Sequence, residues 1–332
     1  MPIIGFDFDE CLAQGSSITL FSLFLEGNIS DNQELKKYKD AFYALLANNE
    51  IITKGTIFRP SLLKLMPKLL KLRQEGHIER LFIYSNNRIN ELLNSADHIL
   101  ALVLQNDPYN VNTDALIEEN GRLQVLSPRI THDDSCRGVE PLNQGNREKT
   151  FNGIKSCLGM SLVEKDLWFL DDTKHHISIM DSIGDQYINV KPYEVKLNNK
   201  KLIDLFFEAF PLNLFTSNTT FLTEFQKVFA INNLNIETLP RDFEETLNKL
   251  LPDSKRVIKG WNTQEVNKDI EFLEKSLEGA ITVSKPTRNY TPLSNTTIGG
   301  SQSKCRKGPR RSRSKIKRGL RTRRKRLTKL RQ

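Results

Sequence analysis

Short apolar runs alternate with longer stretches of helical periodicity over the first 200 residues. Strands are predicted at 2–8, 80–85, 166–170 and 186–190, where β-branched and aromatic residues cluster over strand length. Between them, apolar residues three or four positions apart predict helices at 17–25, 31–48, 60–75, 88–105, 147–158 and 175–182. Strands that alternate with helices of this length indicate an α/β fold built on a doubly wound parallel sheet.

Two inserts and three C-terminal regions complete the predicted organisation. Residues 12–58 form a small helical insert, whose second helix has Ser30 or Asp31 as N-cap, and the insert 106–147 is polar and irregular. After a core domain of residues 1–200, Phe and Leu stripes at 202–210, 219–230, 242–251 and 264–277 predict a helical extension over 201–279. Residues 280–303 are rich in Ser, Thr, Pro and Gly and read as a flexible linker, and 304–332 as a disordered basic tail.

The charge of the chain separates into two parts. The formal net charge is +9, but 16 basic residues and no acidic ones lie in the tail, which leaves 33 basic and 40 acidic groups, or −7, in residues 1–303. The tail has no aromatic residue for base stacking, so its charge alone predicts salt-sensitive binding to DNA, RNA or another polyanion. Nuclear targeting through an import receptor, nucleic-acid binding, and an acidic protein or membrane partner all remain open.

Several features predict an intracellular protein in a reducing compartment. The chain begins Met-Pro-Ile-Ile and reaches Asp7 without the cationic start and apolar run of a secretory signal, and it has no apolar stretch of membrane-spanning length. The four cysteines form no Cys-x-x-Cys pair, which argues against a zinc site or a disulfide framework.

Polar and acidic residues end three of the predicted strands. Asp7 and Asp9 close the first, and residues two apart in a strand point to the same side, so their like charges need a cation or a proton. Ser85 and Asn86 close the second ahead of a helix, whose N-terminus can bind an anion. Asp171 and Asp172 close the third, and adjacent carboxylates suit Mg²⁺.

Each feature alone also has a simpler interpretation as a solvated strand end or a helix cap. Together they favour one site, because ligands of doubly wound sheets bind at the carboxyl ends of the strands.

These residues resemble the motifs of the haloacid dehalogenase-like (HAD) phosphohydrolases over about residues 1–195. Asp7-Phe-Asp9-Glu-Cys11 is similar to the first motif, Ser85 to the second and Asp171-Asp172 to the acidic fourth. Arg59-Pro60 resembles an element of the subgroup that includes the RNA polymerase C-terminal-domain phosphatases, also called NLI-interacting-factor-like. The resemblance implies a Rossmannoid fold.

The third motif of this family is a lysine, for which Lys149 and Lys155 compete. We prefer Lys149, because a position in the first turn of helix 147–158 can face the strand ends, whereas Lys155 lies deeper in the helix and is typical of a solvated face.

The resemblance implies a Mg²⁺-dependent phosphatase that forms an aspartyl phosphate. Asp7 is the implied nucleophile and Asp9 the general acid and base. Ser85 and Lys149 bind the phosphate, with Asn86 as a further candidate. The metal is held by Asp7, the Asp9 carbonyl and Asp171, with Asp172 as a further candidate ligand.

Cys11 and the pair His175-His176 are interpreted as structural. No histidine lies beside Cys11 in the sequence, so a packed thiol is favoured over a nucleophile. Adjacent histidines on a helix point in different directions, which favours a helix start at the surface over a metal site.

The inserts suggest an open site and therefore a macromolecular substrate, either a phosphorylated protein or a nucleic-acid end. An alternative is an inactive scaffold that binds or packages nucleic acid through its tail. Basic tails set off by Gly299-Gly300 also resemble those of proteins of large DNA viruses.

Overall fold

A computed structural model describes residues 1–29, 32–119, 121–143, 146–174, 176–195, 197–231, 235–251 and 261–282. These described residues belong to one compact unit. The predicted tail and nearly all of the predicted linker lie outside them. No helix in the described ranges is both long and apolar enough to cross a membrane.

Five parallel strands form the central sheet. Across the sheet they follow the order β5 (Arg129–Ile130), β2 (Arg80–Tyr84), β1 (Ile3–Phe6), β8 (Leu167–Asp171) and β9 (Tyr187–Asn189). The predicted strands correspond to β1, β2, β8 and β9. The α/β class and the parallel sheet are therefore confirmed. The edge strand β5 (Arg129–Ile130) lies in the insert that was predicted to be irregular, and its two residues are too few to give a periodic signal.

Side chains alternate between the two faces of this sheet, and each face has its own core. Residues that pack under the larger group of helices include Ile4, Phe6, Leu81, Ile83, Leu170 and Ile188. Their neighbours in the strands form the smaller core on the other face, including Ile3, Phe82, Tyr84, Leu167, Phe169 and Tyr187. Burial on both faces explains why these strands read as nearly continuous apolar runs.

Gly5 sits in the central strand because its neighbours fill its side-chain space. It pairs with Phe82 of β2 and Phe169 of β8, and a Cβ at this position would lie 2.5 Å from the Phe82 ring and 2.6 Å from the Phe169 ring. A side chain here would have to displace both rings.

The helices of the core domain follow the predicted pattern with shifted ends. They are α1 (Thr19–Ser22), continued by a π-helical turn over Leu23–Asn28, α2 (Gln33–Thr53), α3 (Pro60–Gln74), α4 (Asn90–Gln105), α5 (Phe151–Leu158) and α6 (Ile177–Ile183). Asn32, and not Ser30 or Asp31, caps α2 by accepting the N–H groups of Glu34 and Leu35. Ser30 and Asp31 themselves lie outside the described residues.

The insert 106–147 contains more regular structure than its composition suggests. It holds the hairpin β3 (Ile117–Glu119) and β4 (Arg122–Gln124), a 3₁₀ helix over Ser135–Val139, and the short pair β6 (Leu142–Asn143) and β7 (Asn146–Arg147). Cys136 of the 3₁₀ helix forms a disulfide with Cys157 of α5. The expectation that the cysteines are unpaired was wrong for these two, because spacing along the chain does not reveal that the fold brings their Cα atoms within 4.9 Å.

The C-terminal extension consists of α7 (Asn199–Ala209), α8 (Leu214–Ser217), α9 (Thr219–Phe229), α10 (Leu239–Leu250), α11 (Thr263–Ser276) and α12 (Glu278–Ile281). Its Phe stripes meet the helical insert in one aromatic cluster. Phe206 of α7 packs 5.3 Å from Phe21 and 5.6 Å from Phe42, measured between ring centroids, and stacks on Phe225 of α9. The extension therefore shares the larger core with the sheet.

We expect Phe206→Ala to lower the free energy of unfolding by about 3–5 kcal/mol, because it removes a fully buried ring and leaves a cavity. Urea denaturation of the full chain measures this. Phe272→Ala is the matched control, since the Phe272 side chain is 44% exposed, and its effect should stay within about 1 kcal/mol. Equal losses in the two variants would contradict a shared core centred on Phe206.

Candidate active site

Three adjacent strands deliver the predicted site residues to one edge of the sheet. Asp7 follows β1, Ser85 follows β2, and Asp171 is the last residue of β8. The backbone hydrogen bonds of the sheet continue to this edge, since the Asp7 N–H donates to the Leu170 carbonyl of β8 and the Ser85 N–H to the Ile130 carbonyl of β5. All three side chains are buried.

The side chain of Lys149 lies between two of these carboxylates. Its Nζ donates a hydrogen bond of 2.7 Å to Asp171 Oδ2 and is 2.9 Å from Asp7 Oδ1, and the residue is only 1% exposed. Lys149 is not in a helix as expected. It precedes Thr150, the N-cap of α5, so the segment before the helix and not a first helical turn directs it to the strand ends.

The other candidate, Lys155, faces away from this group. It is exposed on α5, with its Nζ 5.9 Å from the centroid of the Phe151 ring. The lysine that meets the acidic residues is therefore Lys149.

Burial and crowding perturb the ionisation of the cluster. Burial raises the pKa of Asp7 to about 7; the Lys149 charge opposes this shift and the Asp171 charge adds to it. Burial also raises the pKa of Asp172 to about 6, again with Asp171 contributing. For Lys149, burial alone lowers the pKa, but Asp7 and Asp171 outweigh it and hold the pKa above its ordinary value. One ammonium is thus shared among more carboxylates than it can neutralise.

The donor set at this edge fits a small divalent cation. Carboxylate oxygens of Asp7, Asp171 and Asp172 lie within 4.8 Å of one another. The buried Oδ1 of Asp7 has Lys149 Nζ at 2.9 Å as an ion-pair partner and accepts no hydrogen bond of good geometry from the described residues. Oxygen-only ligands and excess negative charge are the conditions that Mg²⁺ prefers.

Asp9 and Ser85 are joined to each other through Asn87, which the sequence did not single out. Asn87 Nδ2 donates to Asp9 Oδ2 at 2.9 Å, and the Asn87 N–H donates to Ser85 Oγ at 3.0 Å. Burial raises the pKa of Asp9, and the Asn87 hydrogen bond limits the rise. Helix α4 begins at Asn90, two residues later than predicted, so residues 86–89 lie between Ser85 and the start of the helix.

Asn86, a predicted phosphate ligand, uses its side chain for structure. Its Nδ2 donates to the Arg147 carbonyl at 3.0 Å, and its Oδ1 accepts from Arg137 at 2.9 Å. The side-chain amide of Asn86 therefore joins β2 to the insert instead of facing Asp7.

A buried ion pair between Arg137 and Glu140 supports both Ser85 and the Lys149 segment. Arg137 is fully buried, donates to the Ser85 carbonyl at 2.5 Å and pairs with Glu140 at 2.7 Å. Glu140 in turn accepts the hydroxyl of Tyr84 and the N–H of Thr150. Both residues lie in the polar insert, where sequence periodicity gave no sign that they are buried.

His176 also orients Lys149, contrary to the expectation of a surface position. Its side chain is buried, and its Nδ1 accepts the Lys149 N–H at 3.1 Å, while Nε2 faces Asp171 Oδ2 at 4.0 Å. Burial, helped by the Lys149 charge, lowers the pKa of His176 to about 4, so the ring is neutral at pH 7. His175 lies outside the described residues.

Arg59 fixes the loop that carries Asp7 and Asp9. Fully buried, it donates through Nε to the Cys11 carbonyl at 2.9 Å and also to the Lys191 carbonyl after β9. Its counterion is Asp269 of α11, at 3.2 Å. Cys11 contributes this carbonyl while its thiol is buried, and burial raises the pKa of the thiol, which disfavours a nucleophilic thiolate.

No family model matches the chain, and neither the curated proteins nor the solved structures gave a significant match.

Asp7→Asn should stabilise the chain when EDTA removes divalent metal. The pKa of Asp7 is about 7 in the folded protein, against 3.8 for a free aspartate. Its carboxyl group therefore does not lower the free energy of unfolding below about pH 4, and lowers it increasingly as the pH rises to 7 and the carboxylate ionises. A pKa difference of about 3 corresponds to roughly 4 kcal/mol at pH 8. Relief of only ~1 kcal/mol of this raises the Tm by about 2–4 °C. Thermal melts at pH 4 and pH 8 check this, with exposed Asp181→Asn as control. A Tm difference that is largest at pH 4 would contradict the assignment.

Glu140→Gln should lower the free energy of unfolding by about 3–5 kcal/mol, because it leaves the buried Arg137 guanidinium without a counterion. Urea denaturation measures the loss. Glu274→Gln, which breaks an exposed pair with Lys68, is the control and should cost less than about 1 kcal/mol.

Proposed function

We propose that this chain is a Mg²⁺-dependent phosphatase that hydrolyses a phosphomonoester on a macromolecule through an aspartyl phosphate. The observation that carries the proposal is Lys149 Nζ between Asp7 and Asp171, at 2.9 and 2.7 Å, on the edge where Ser85 and Asp9 meet through Asn87. This arrangement brings together a carboxylate nucleophile, a second carboxyl group that can carry a proton, and a fixed cation. The resemblance to HAD-like phosphohydrolases implies the same residues for these roles.

In the first step, a carboxylate oxygen of Asp7 attacks phosphorus, and the bond from phosphorus to the substrate oxygen breaks. Asp9 gives its proton to that oxygen as it leaves. The raised pKa of Asp9 favours this acidic role, and its hydrogen bond from Asn87 holds the carboxyl group in one orientation.

In the second step, Asp9 removes a proton from water, which attacks the aspartyl phosphate. The bond between phosphorus and Asp7 breaks, inorganic phosphate leaves, and both carboxyl groups return to their starting states. Lys149 and the Ser85 hydroxyl stabilise the charge on the phosphoryl oxygens in both steps. A Mg²⁺ ion held by Asp7, Asp171 and Asp172 would supply further charge neutralisation when bound.

The buried partners keep these groups in place before substrate binds. Arg137 and Glu140 hold the backbone at Ser85 and Thr150, and Arg59 holds the loop after Asp7. A phosphoryl transfer site gains most of its rate from such positioning and from fixed charge, since phosphate esters hydrolyse extremely slowly in water.

We expect Asp7→Asn to abolish hydrolysis of p-nitrophenyl phosphate and Lys149→Met to lower kcat by about 10²–10³-fold, as for loss of one transition-state contact. Activity should disappear with EDTA and return with Mg²⁺. Lys155→Met is the matched control and should retain wild-type kcat, because Lys155 is exposed and faces away from Asp7.

Full activity of Asp7→Asn would overturn the proposed nucleophile. Absence of turnover by the wild-type chain with aryl phosphate, phosphopeptide and phosphorylated oligonucleotide would instead favour the alternative of a nucleic-acid-binding scaffold.

A further inference from the structure

An open groove runs from the candidate active site to the C-terminal extension. Its first part is a depression of about 670 Å³ that begins at Asp172 and Thr173. Its second part, of about 370 Å³, shares Asn189 and Lys191 with the first and ends on α11. A ligand longer than a single phosphate could therefore continue from the acidic cluster along the end of β9.

The wall formed by α11 is fixed to the same loop that carries Asp7. Asp269 pairs with Arg59 and accepts the hydroxyl of Ser61, and the Trp261 ring lies 5.0 Å from the Arg59 guanidinium and edge-on to Tyr193. These contacts give the groove a defined position relative to Asp7, so ligand bound in it can be placed for reaction.

Three lysines supply positive charge along the groove, whose acidic lining residues are Asp172, Glu265 and Asp269. Lys174, Lys191 and Lys268 line it and are exposed, and none of the three ammonium groups forms an ion pair with the described residues. Of the two acidic residues on the α11 wall, Asp269 is neutralised by an arginine, whereas Glu265 is exposed and is held in place by a backbone N–H. Asp269 is paired with Arg59, and the Glu265 side chain accepts the Asn262 N–H in a capping box.

Aromatic rings lie among these lysines. Trp261 is half-buried, with part of its surface in the groove, and Phe272 on the same helix is 44% exposed. An exposed phenylalanine ring is solvated unfavourably in water. Beside a lysine, however, it can bind a ligand in which flat rings alternate with negative charges.

We propose that the groove binds single-stranded nucleic acid, with the terminal phosphate of the strand at Asp7. This inference rests on the proposed phosphatase function. The adjoining nucleotides lie along Lys191 and Lys268 and stack a base on Phe272. A phosphopeptide places its single phosphate in the site and offers neither further phosphates to these lysines nor a row of bases to the rings.

The test compares kcat/KM for a five-nucleotide strand with a terminal phosphate, a five-residue phosphoserine peptide and p-nitrophenyl phosphate. In the full chain, Lys268→Glu and Phe272→Ala should each lower the ratio of oligonucleotide to aryl phosphate kcat/KM about fivefold or more. Lys268→Glu should also reduce the slope of log KM against log salt by about 0.7, the value for one lost phosphate contact on a single strand. Lys275→Glu changes an exposed lysine of α11 outside the groove and should leave both quantities unchanged.

Unchanged ratios in both groove variants, or a loss confined to the phosphopeptide, overturn the assignment to nucleic acid. Fluorescence anisotropy of the same strand without its phosphate tests the groove independently of turnover, and the basic tail is common to all variants. Weaker binding by Lys268→Glu and Phe272→Ala than by Lys275→Glu supports the groove even if no substrate is hydrolysed. Equal binding by all three contradicts it.

Discussion

The ends of β1 and β8 can stay together only because a buried ammonium group separates their carboxylates. Parallel strands place Asp7 and Asp171 side by side at the edge of the sheet, where burial removes the water that would otherwise solvate them. Lys149 supplies the opposite charge, and the two carboxylates in turn offset the desolvation of its ammonium group. The segment before α5 is accordingly held at Lys149 and Thr150, by His176 and Glu140.

Two buried arginines perform parallel tasks on either side of this charge cluster. Arg137 binds the carbonyl after β2, with Glu140 three residues later as its counterion. Arg59 binds a carbonyl of the loop after β1, with Asp269 of the distant helix α11 as its counterion. A guanidinium suits this task because its fixed fork of donors can bind a carbonyl and a carboxylate at once. Burying such pairs costs desolvation energy, but it holds the backbone in its functional arrangement before a ligand binds.

The sequence predicted those parts of the structure that are determined by neighbouring residues, and missed those that depend on contacts between distant ones. The strands around Asp7, Ser85 and Asp171 were predictable because each is a buried apolar run that ends in a polar residue. Lys149 could be preferred over Lys155, but the reason given was wrong, since it lies before the helix. Arg137, Glu140 and the disulfide of Cys136 lie in a polar insert, where burial depends on contacts 20 to 60 residues away and leaves no periodic trace.

The pairing of Arg59 with Asp269 also limits when the loop after β1 can be completed during synthesis of the chain. The two residues are 210 positions apart, so at about 5–20 residues per second the counterion leaves the ribosome roughly 10–40 s after the arginine. Until then, burial of Arg59 beneath the loop of Asp7 would leave its charge uncompensated. The loop on which the proposed chemistry depends therefore gains this buried ion pair only after α11 has been synthesised.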